Sequence, residues 1–338
     1  MHVLGGSSSM ERSRLKTVVR RIALANALVM LLVLIQGSLV TNTNSADGCG
    51  NSWPLCHGQF IPEYTLKTAI EFSHRFVTTI ATVLIFATAI GALKLYRHRR
   101  EMRIYVPIMI AFLFLQAGLG AAAVMWPQSE EVKALHFGIS LIAFASTVLV
   151  AALMYDIDSW DTLRDRPTSK RLRWTVLGLT GYTYIVVYLG AYVRHTNSML
   201  ACLDWPLCNG RIYPGLSGPV GIAFTHRVSA ALLVVGVGVL LYWTRGLRET
   251  RPDLFWGSVA AFVFVSIQAI GGGIVVLTQV STLATISHSI LVSLFFGTMA
   301  YLSVHVMPRP AAAQLPARQR NDSSKTIPAA STLSAPGD

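Results

Sequence analysis

Four histidines recur in this chain at fixed intervals. His74 and His136 are 62 residues apart, His226 and His288 are also 62 apart, and each member of the first pair lies 152 positions before its counterpart. Imidazole is a versatile metal ligand, and two inward histidines at matched depth on facing helices form the usual cradle of a bis-histidine haem iron. A lone histidine in an apolar helix is ordinarily a hydrogen-bonded packing residue; two equivalent pairs point instead to ligation. Glu71 stands three residues before His74, so both project from one helix face, while its counterpart in the second set is Ala223. A carboxylate in an apolar segment is costly and is a functional candidate by default. The competing role is a hydrogen bond that fixes the His74 ring. The Glu-x-x-His spacing also occurs in di-iron bundles, but those need a second such motif and two further carboxylates. Here the second motif reads Ala223-Phe224-Thr225-His226, which excludes that chemistry.

The four cysteines cluster as Cys49 with Cys56 and Cys202 with Cys208, each pair ending in a Trp-Pro-Leu-Cys segment, 53–56 and 205–208. Close cysteines on a flexible loop in an oxidising compartment form local disulfides. Unpaired thiols are the bland alternative, and metal binding is weaker, with only His57 or His195 as an additional ligand for each pair. Arg75 and Arg227 directly follow the first histidine of each pair. Two roles are open to them: contact with haem propionates near helix N-termini, where the dipole favours anions, or an interfacial anchor that snorkels to headgroups.

The 152-residue register also carries Gln116 onto Gln268, Gly58 onto Gly210 and Pro62 onto Pro214, and it slips by one residue ahead of the Trp, where Thr43-Asn44-Ser45 matches Thr196-Asn197-Ser198. Such a register in an apolar background indicates tandem duplication. Hydrophobic residues make up 53% and charged residues 13% of the chain, with a mean hydropathy of +0.51, which is a membrane composition. Apolar runs near 22–41, 70–93, 104–126, 134–155, 174–193, 220–243, 254–278 and 284–307 are each about long enough to cross the roughly 30 Å hydrocarbon core. In lipid the backbone must satisfy itself, so these runs are helices.

The expected fold is therefore an all-α integral membrane protein of eight transmembrane helices, arranged as two tandem four-helix bundles. Residues 1–21 form a basic cytoplasmic lead, 22–155 the first repeat, 156–173 a cytoplasmic linker, 174–307 the second repeat and 308–338 a disordered cytoplasmic tail. The net charge of +12 does not indicate nucleic acid, because the Lys and Arg residues sit in alternate loops. The positive-inside rule then places both termini in the cytoplasm and the cysteine loops outside. The even-numbered helices all start from the outer side, which sets the four histidines in one layer near that face. His2, His98 and His305 fall in tails or at the cytoplasmic edge and are read as solvated.

The motifs Glu71-Phe72-Ser73-His74-Arg75, Leu135-His136-Phe137, Thr225-His226-Arg227 and Ser287-His288-Ser289, together with the two Trp-Pro-Leu-Cys loops, resemble the bacterial haem A synthase family over residues 20–307. The resemblance implies a membrane oxidoreductase of the bacterial plasma membrane that oxidises a porphyrin methyl group of haem O to a formyl group, giving haem A for terminal oxidases. It implies a cofactor haem b at His226 and His288, a substrate haem O site at His74 and His136, and Glu71 as the catalytic carboxylate. It also implies redox-linked behaviour at Cys49 and Cys56 and a structural role for Cys202 and Cys208. The partners implied are the haem O substrate, the bilayer, a haem O synthase and an electron donor such as a quinol or a ferredoxin-like protein. The competing classes are a di-haem b-type electron carrier and a haem transporter or chaperone, neither of which needs Glu71.

Overall fold

The computed structural model describes residues 5–308 apart from 127, 165 and 167. Among the described residues there are eight α-helices: α1 (Gly5–Asn42), α2 (Leu66–Tyr96), α3 (Arg100–Met125), α4 (Glu130–Arg164), α5 (Lys170–His195), α6 (Gly218–Thr244), α7 (Pro252–Leu277) and α8 (Thr282–His305). All eight are long and apolar enough to cross a membrane. Side-chain caps set several starts: the Thr65 hydroxyl accepts from the Thr68 N–H, Ser169 from Leu172 and Ser281 from Ala284, each satisfying a donor the first turn leaves unpaired.

The helices outrun the apolar runs. The basic lead is helical from Gly5 onward, and α4 continues through the expected linker to Arg164. Apolar length marks only the stretch that needs lipid, whereas Arg, Lys and Glu are good helix formers and prolong a nucleated helix into water. The tail from 309 onward lies outside the described residues, as do His2 and the first four positions.

Within the first half α1 packs on α2, α2 on α3, α3 on α4 and α4 back on α1; in the second, α5 to α8 close in the same way. The halves meet along α1, α4, α5 and α8. α4 lies at this seam, with 72% of its apolar window buried against 17–33% for the other seven spans. Hydroxyl pairs tie α8 to both halves, Ser38 to Ser289 at 3.0 Å and Thr180 to Ser303 at 2.8 Å, the kind of polar contact that joins helices where lipid supplies no hydrophobic drive. One core gathers Ile85, Met109, Leu141 and Met154, and another Leu240, Leu254, Phe295 and Met299.

At the end away from the cysteine loops, His305 is not solvated but buried, with 1% of its surface exposed. Its Nδ1 lies 2.8 Å from Asp253 Oδ2. Arg251, one of the basic residues between α6 and α7, is also buried: it donates to both Asp253 oxygens, to the His305 carbonyl and to the Arg166 carbonyl. Hydropathy could not reveal this cluster, because a buried charge is tolerated only when its partners are in place, and those partners come from three separate segments.

Candidate functional site

The four histidines stand 8, 6, 8 and 6 positions beyond the first residues of α2, α4, α6 and α8, namely Leu66, Glu130, Gly218 and Thr282. At 1.5 Å per residue this sets every ring about 9–12 Å along its helix. His74 and His136 are within electrostatic reach of each other, as are His226 and His288. Each ring faces a glycine on the preceding helix. A Cβ on Gly37 of α1 would lie 3.4 Å from His74 Cε1, one on Gly120 of α3 3.4 Å from His136 Cε1, one on Gly190 of α5 2.8 Å from His226 Cε1 and one on Gly272 of α7 3.3 Å from His288 Cε1. Side chains there would occupy ring space.

The Nδ1 atoms of all four rings are buried without a hydrogen-bond partner. The backbone of Val186 lies close enough to His226, and that of Gln268 to His288, to interact with the ring. All four rings line one cavity of about 1030 Å³ that draws on all eight helices and is roofed by Trp53, Pro54, Trp205 and Pro206. Four imidazoles in two pairs around an apolar space of this size are a donor set suited to porphyrin iron.

The expected asymmetry has a definite geometry. Glu71 is 3% exposed. Its Oε2 accepts from the Cys49 N–H at 2.7 Å and its Oε1 from Arg75 Nη2 at 2.6 Å. It therefore does not hold the His74 ring; its partners are the cysteine loop and the next turn of α2. Arg75 in turn donates through Nη1 to the carbonyls of Ser52, Pro54 and Leu55. Arg227 does the same job in the second loop, on the carbonyls of Asp204, Leu207 and Cys202. Both arginines thus border the cavity while clasping the Trp-Pro-Leu-Cys turns.

Cys49 is bonded to Cys56 and Cys202 to Cys208, and all four are buried. The two loops share their conformation: cis peptide bonds precede Pro54 and Pro206, and Cys56 bridges to Gln59 as Cys208 does to Arg211. Positive φ occurs at His57 and Gly58 and again at Asn209 and Gly210, a backbone region in which glycine is unstrained. They differ in what receives the turn's N–H groups. Ser52 Oγ takes that of His57 at 2.7 Å, whereas the Asp204 carboxylate takes those of Asn209 and Gly210 at 2.5 and 2.7 Å. The Gly210 N–H foremost, then that of Asn209, holds Asp204 below its ordinary carboxylate value. Asp47 at the first loop is likewise lowered, by its hydrogen bond from Lys67.

The facing glycines were not singled out from the sequence. The signal was present, since Gly120 and Gly272 obey the 152-residue register and Gly37 and Gly190 the slipped register of 153. His57 and His195, the additional ligand that a metal at each cysteine pair would need, have other neighbours: His57 Nε2 lies 2.9 Å from the Gly48 carbonyl, and His195 Nδ1 lies 3.9 Å from Glu130 Oε2. Among the described residues no group of three or more His, Cys, Asp or Glu side chains gathers as a metal site.

The family model described as "Cytochrome oxidase assembly protein", COX15-CtaA, matches residues 60–300. The chain is 40% identical over 294 residues to "Heme A synthase" of Symbiobacterium thermophilum, covering 86% of this chain and 96% of that protein. It is 39% identical over 282 residues to "Heme A synthase" of Geobacillus kaustophilus, covering 83% and 89%, and 38% identical over 285 residues to that of Bacillus cereus, covering 84% and 92%. With the matched span reaching from the first cysteine loop into α8, the chain belongs to the COX15-CtaA family, the heme A synthases.

Proposed function

We propose that this protein is a membrane oxidoreductase that converts haem O to haem A, oxidising a porphyrin methyl group to a formyl group. The observation that carries the reading, in a chain of this family, is Glu71: a buried carboxylate one helical turn from a cavity-lining histidine, in one half only. An electron carrier or a haem chaperone has no use for it.

The two halves are products of a tandem duplication that kept the histidine pairs and the loops and then diverged. Residues 22–155 form the substrate unit, with His74 and His136 on the iron of haem O; residues 174–307 form the cofactor unit, with His226 and His288 holding haem b. Support comes from the matched helix positions of the rings, from the glycines that leave room beside them and from the shared loop conformation. Ligation through Nε2 would leave the proton on Nδ1, and the backbone of Val186 and of Gln268 beside the two rings of the second half could take part in fixing them, as outer-shell groups fix ligand histidines. His226 and His288 would hold haem b, and the chemistry it would supply there is electron transfer.

Oxidising the methyl carbon removes protons as well as electrons. Glu71 is placed to receive a proton or to stabilise positive charge developing at that carbon. A carboxylate has about four lone-pair sites, and Cys49 and Arg75 occupy one on each oxygen. Arg75 offsets its charge, and the Cys49–Cys56 loop fixes its orientation. Arg75 and Arg227 stand at the cavity wall, where propionate carboxylates would meet cationic groups. Both termini are cytoplasmic and the cysteine loops face outward, as the basic residues in alternate loops indicate.

Expression with a haem O source, purification, and extraction of the bound pigments tests the activity. Haem A is the expected product. Recovery of haem O and haem b alone from folded protein, with an electron donor present, would refute the assignment.

A further inference from the structure

We propose that Arg194, a residue of the second half, binds a propionate carboxylate of the porphyrin seated in the first half. This rests on the haem O reading above and adds a binding residue to it. Arg194 is in the last turn of α5 and lines the cavity. Its Nη2 donates to the Thr41 carbonyl at the end of α1 at 2.9 Å, while its Nε is buried with no partner. No described ion pair involves it. Arg75 and Arg227, in contrast, have both Nη atoms or several bonds of one committed to Glu71 and loop carbonyls. A guanidinium on a cavity-lining side chain that has an N–H without an acceptor and no paired carboxylate is a site for an acceptor carried by the ligand, and carboxylates are the anions that the planar guanidinium fork matches.

Its neighbours show which half it serves. Tyr192 in the same turn reaches Glu131 Oε1 at 3.5 Å, His195 Nδ1 lies 3.9 Å from Glu130 Oε2, and Thr41 belongs to α1, so Tyr192, Arg194 and His195 all touch the first half. His195 is also within electrostatic reach of His136. Glu130 does not cancel the positive charge at the mouth, because Lys133 Nζ pairs with it at 3.2 Å. In the slipped register Arg194 corresponds to Thr41 itself. The second half therefore gains no equivalent cation from α1, and the site is single.

The test is a titration, by visible absorbance, of detergent-purified protein carrying its resident haem, with haem O and separately with haem O dimethyl ester. The wild type should bind the free acid at least 10-fold more tightly than the diester, and Arg194→Gln should lose about 10-fold or more in affinity for the acid with little change for the diester, the scale of a hydrogen bond to a charged group. Arg194→Lys should retain part of the preference, and resident haem b content should be unchanged in both variants. Equal binding of acid and diester by the wild type overturns the proposal without any variant. So does an Arg194→Gln protein that keeps the preference, or one that loses resident haem b while still binding haem O. Wild-type protein that binds no haem O overturns this proposal and the substrate assignment together, whereas binding without conversion to haem A overturns the activity alone.

Discussion

Substituting Gly190 should remove the cofactor without touching a ligand. An added Cβ would lie 2.8 Å from His226 Cε1, 3.2 Å from Nε2 and 3.5 Å from Nδ1. Carbon atoms pack at about 3.5–4.0 Å, so the ring would have to retreat by about 0.7 Å or more. The backbones of α5 and α6 are packed against each other, which leaves the ring as the part that moves. Overpacking of this kind costs about 1–3 kcal/mol, or about 5- to 150-fold in haem affinity if the whole cost falls on the ligand. The assay is haem b per protein and the reduced-minus-oxidised spectrum of purified Gly190→Ala. Gly181→Ala is the control, since α5 has nothing within 4 Å of that position and alanine improves helix propensity. Gly37→Ala, where the nearest ring atom is at 3.4 Å, should have a milder effect, and on haem O. Full haem b occupancy in Gly190→Ala, or equal loss in Gly181→Ala, would refute the argument that glycine is there to make room for the ligand ring.

Loss of the second disulfide through Cys202→Ser should lower folded yield more than turnover, since closing so short a loop is worth a few kcal/mol at most; non-reducing peptide mapping that linked Cys56 to Cys202 would contradict local pairing. A membrane-impermeant thiol reagent, applied after reduction, should reach the cysteine loops from outside the cell, and labelling from the cytoplasmic side alone would invert the topology. Asp204 is held below its ordinary value of 3.8 by the Gly210 N–H and its neighbour. Its contribution to the second loop is present above that value and lost as pH falls through the still lower folded value. Limited proteolysis of the loop should therefore be flat from about pH 8 to 5 and rise only below 3.8, and Asp204→Asn should abolish the rise; a transition near pH 6 would not fit.

The parts of the site that were legible from sequence are those that recur at a fixed offset. Two histidine pairs, two cysteine pairs and one unmatched carboxylate stand out because polar residues in a membrane helix are few, and a 152-residue offset brings them into register. The structure pairs the cysteines within their loops and brings all four rings to one cavity. What escaped was recognition by shape. Gly120 and Gly272 are ordinary small residues until the rings they face are known. The buried cluster of Arg251, Asp253 and His305 was invisible because single charges at helix ends look solvated, and only the packing of α7 against α8 removes them from water. For Arg75 the sequence left propionate contact and an interfacial anchor open, and neither included the carbonyls it clasps, since loop geometry decides that. Helix ends shifted for the same reason: hydropathy sees the lipid-facing length and misses the polar turns of α1 and α4 that continue beyond it.

The central claim is that the first half does chemistry because it alone carries Glu71. Glu71→Gln preserves the shape and keeps one oxygen that can accept from Cys49 or from Arg75, while its NH2 faces the other donor, and it removes the charge and the basic carboxylate. The pigments extracted from this variant, expressed with a haem O source, are the most direct measurement. Resident haem b should remain at wild-type level, conversion to haem A should fall by about 10²-fold or more, the usual scale for a group that transfers a proton or stabilises transition-state charge, and haem O or its hydroxymethyl form should accumulate on the protein. Haem A produced at the wild-type rate would show that the carboxylate serves only to fasten Cys49 and Arg75 to α2, and the account of the site would fall with it.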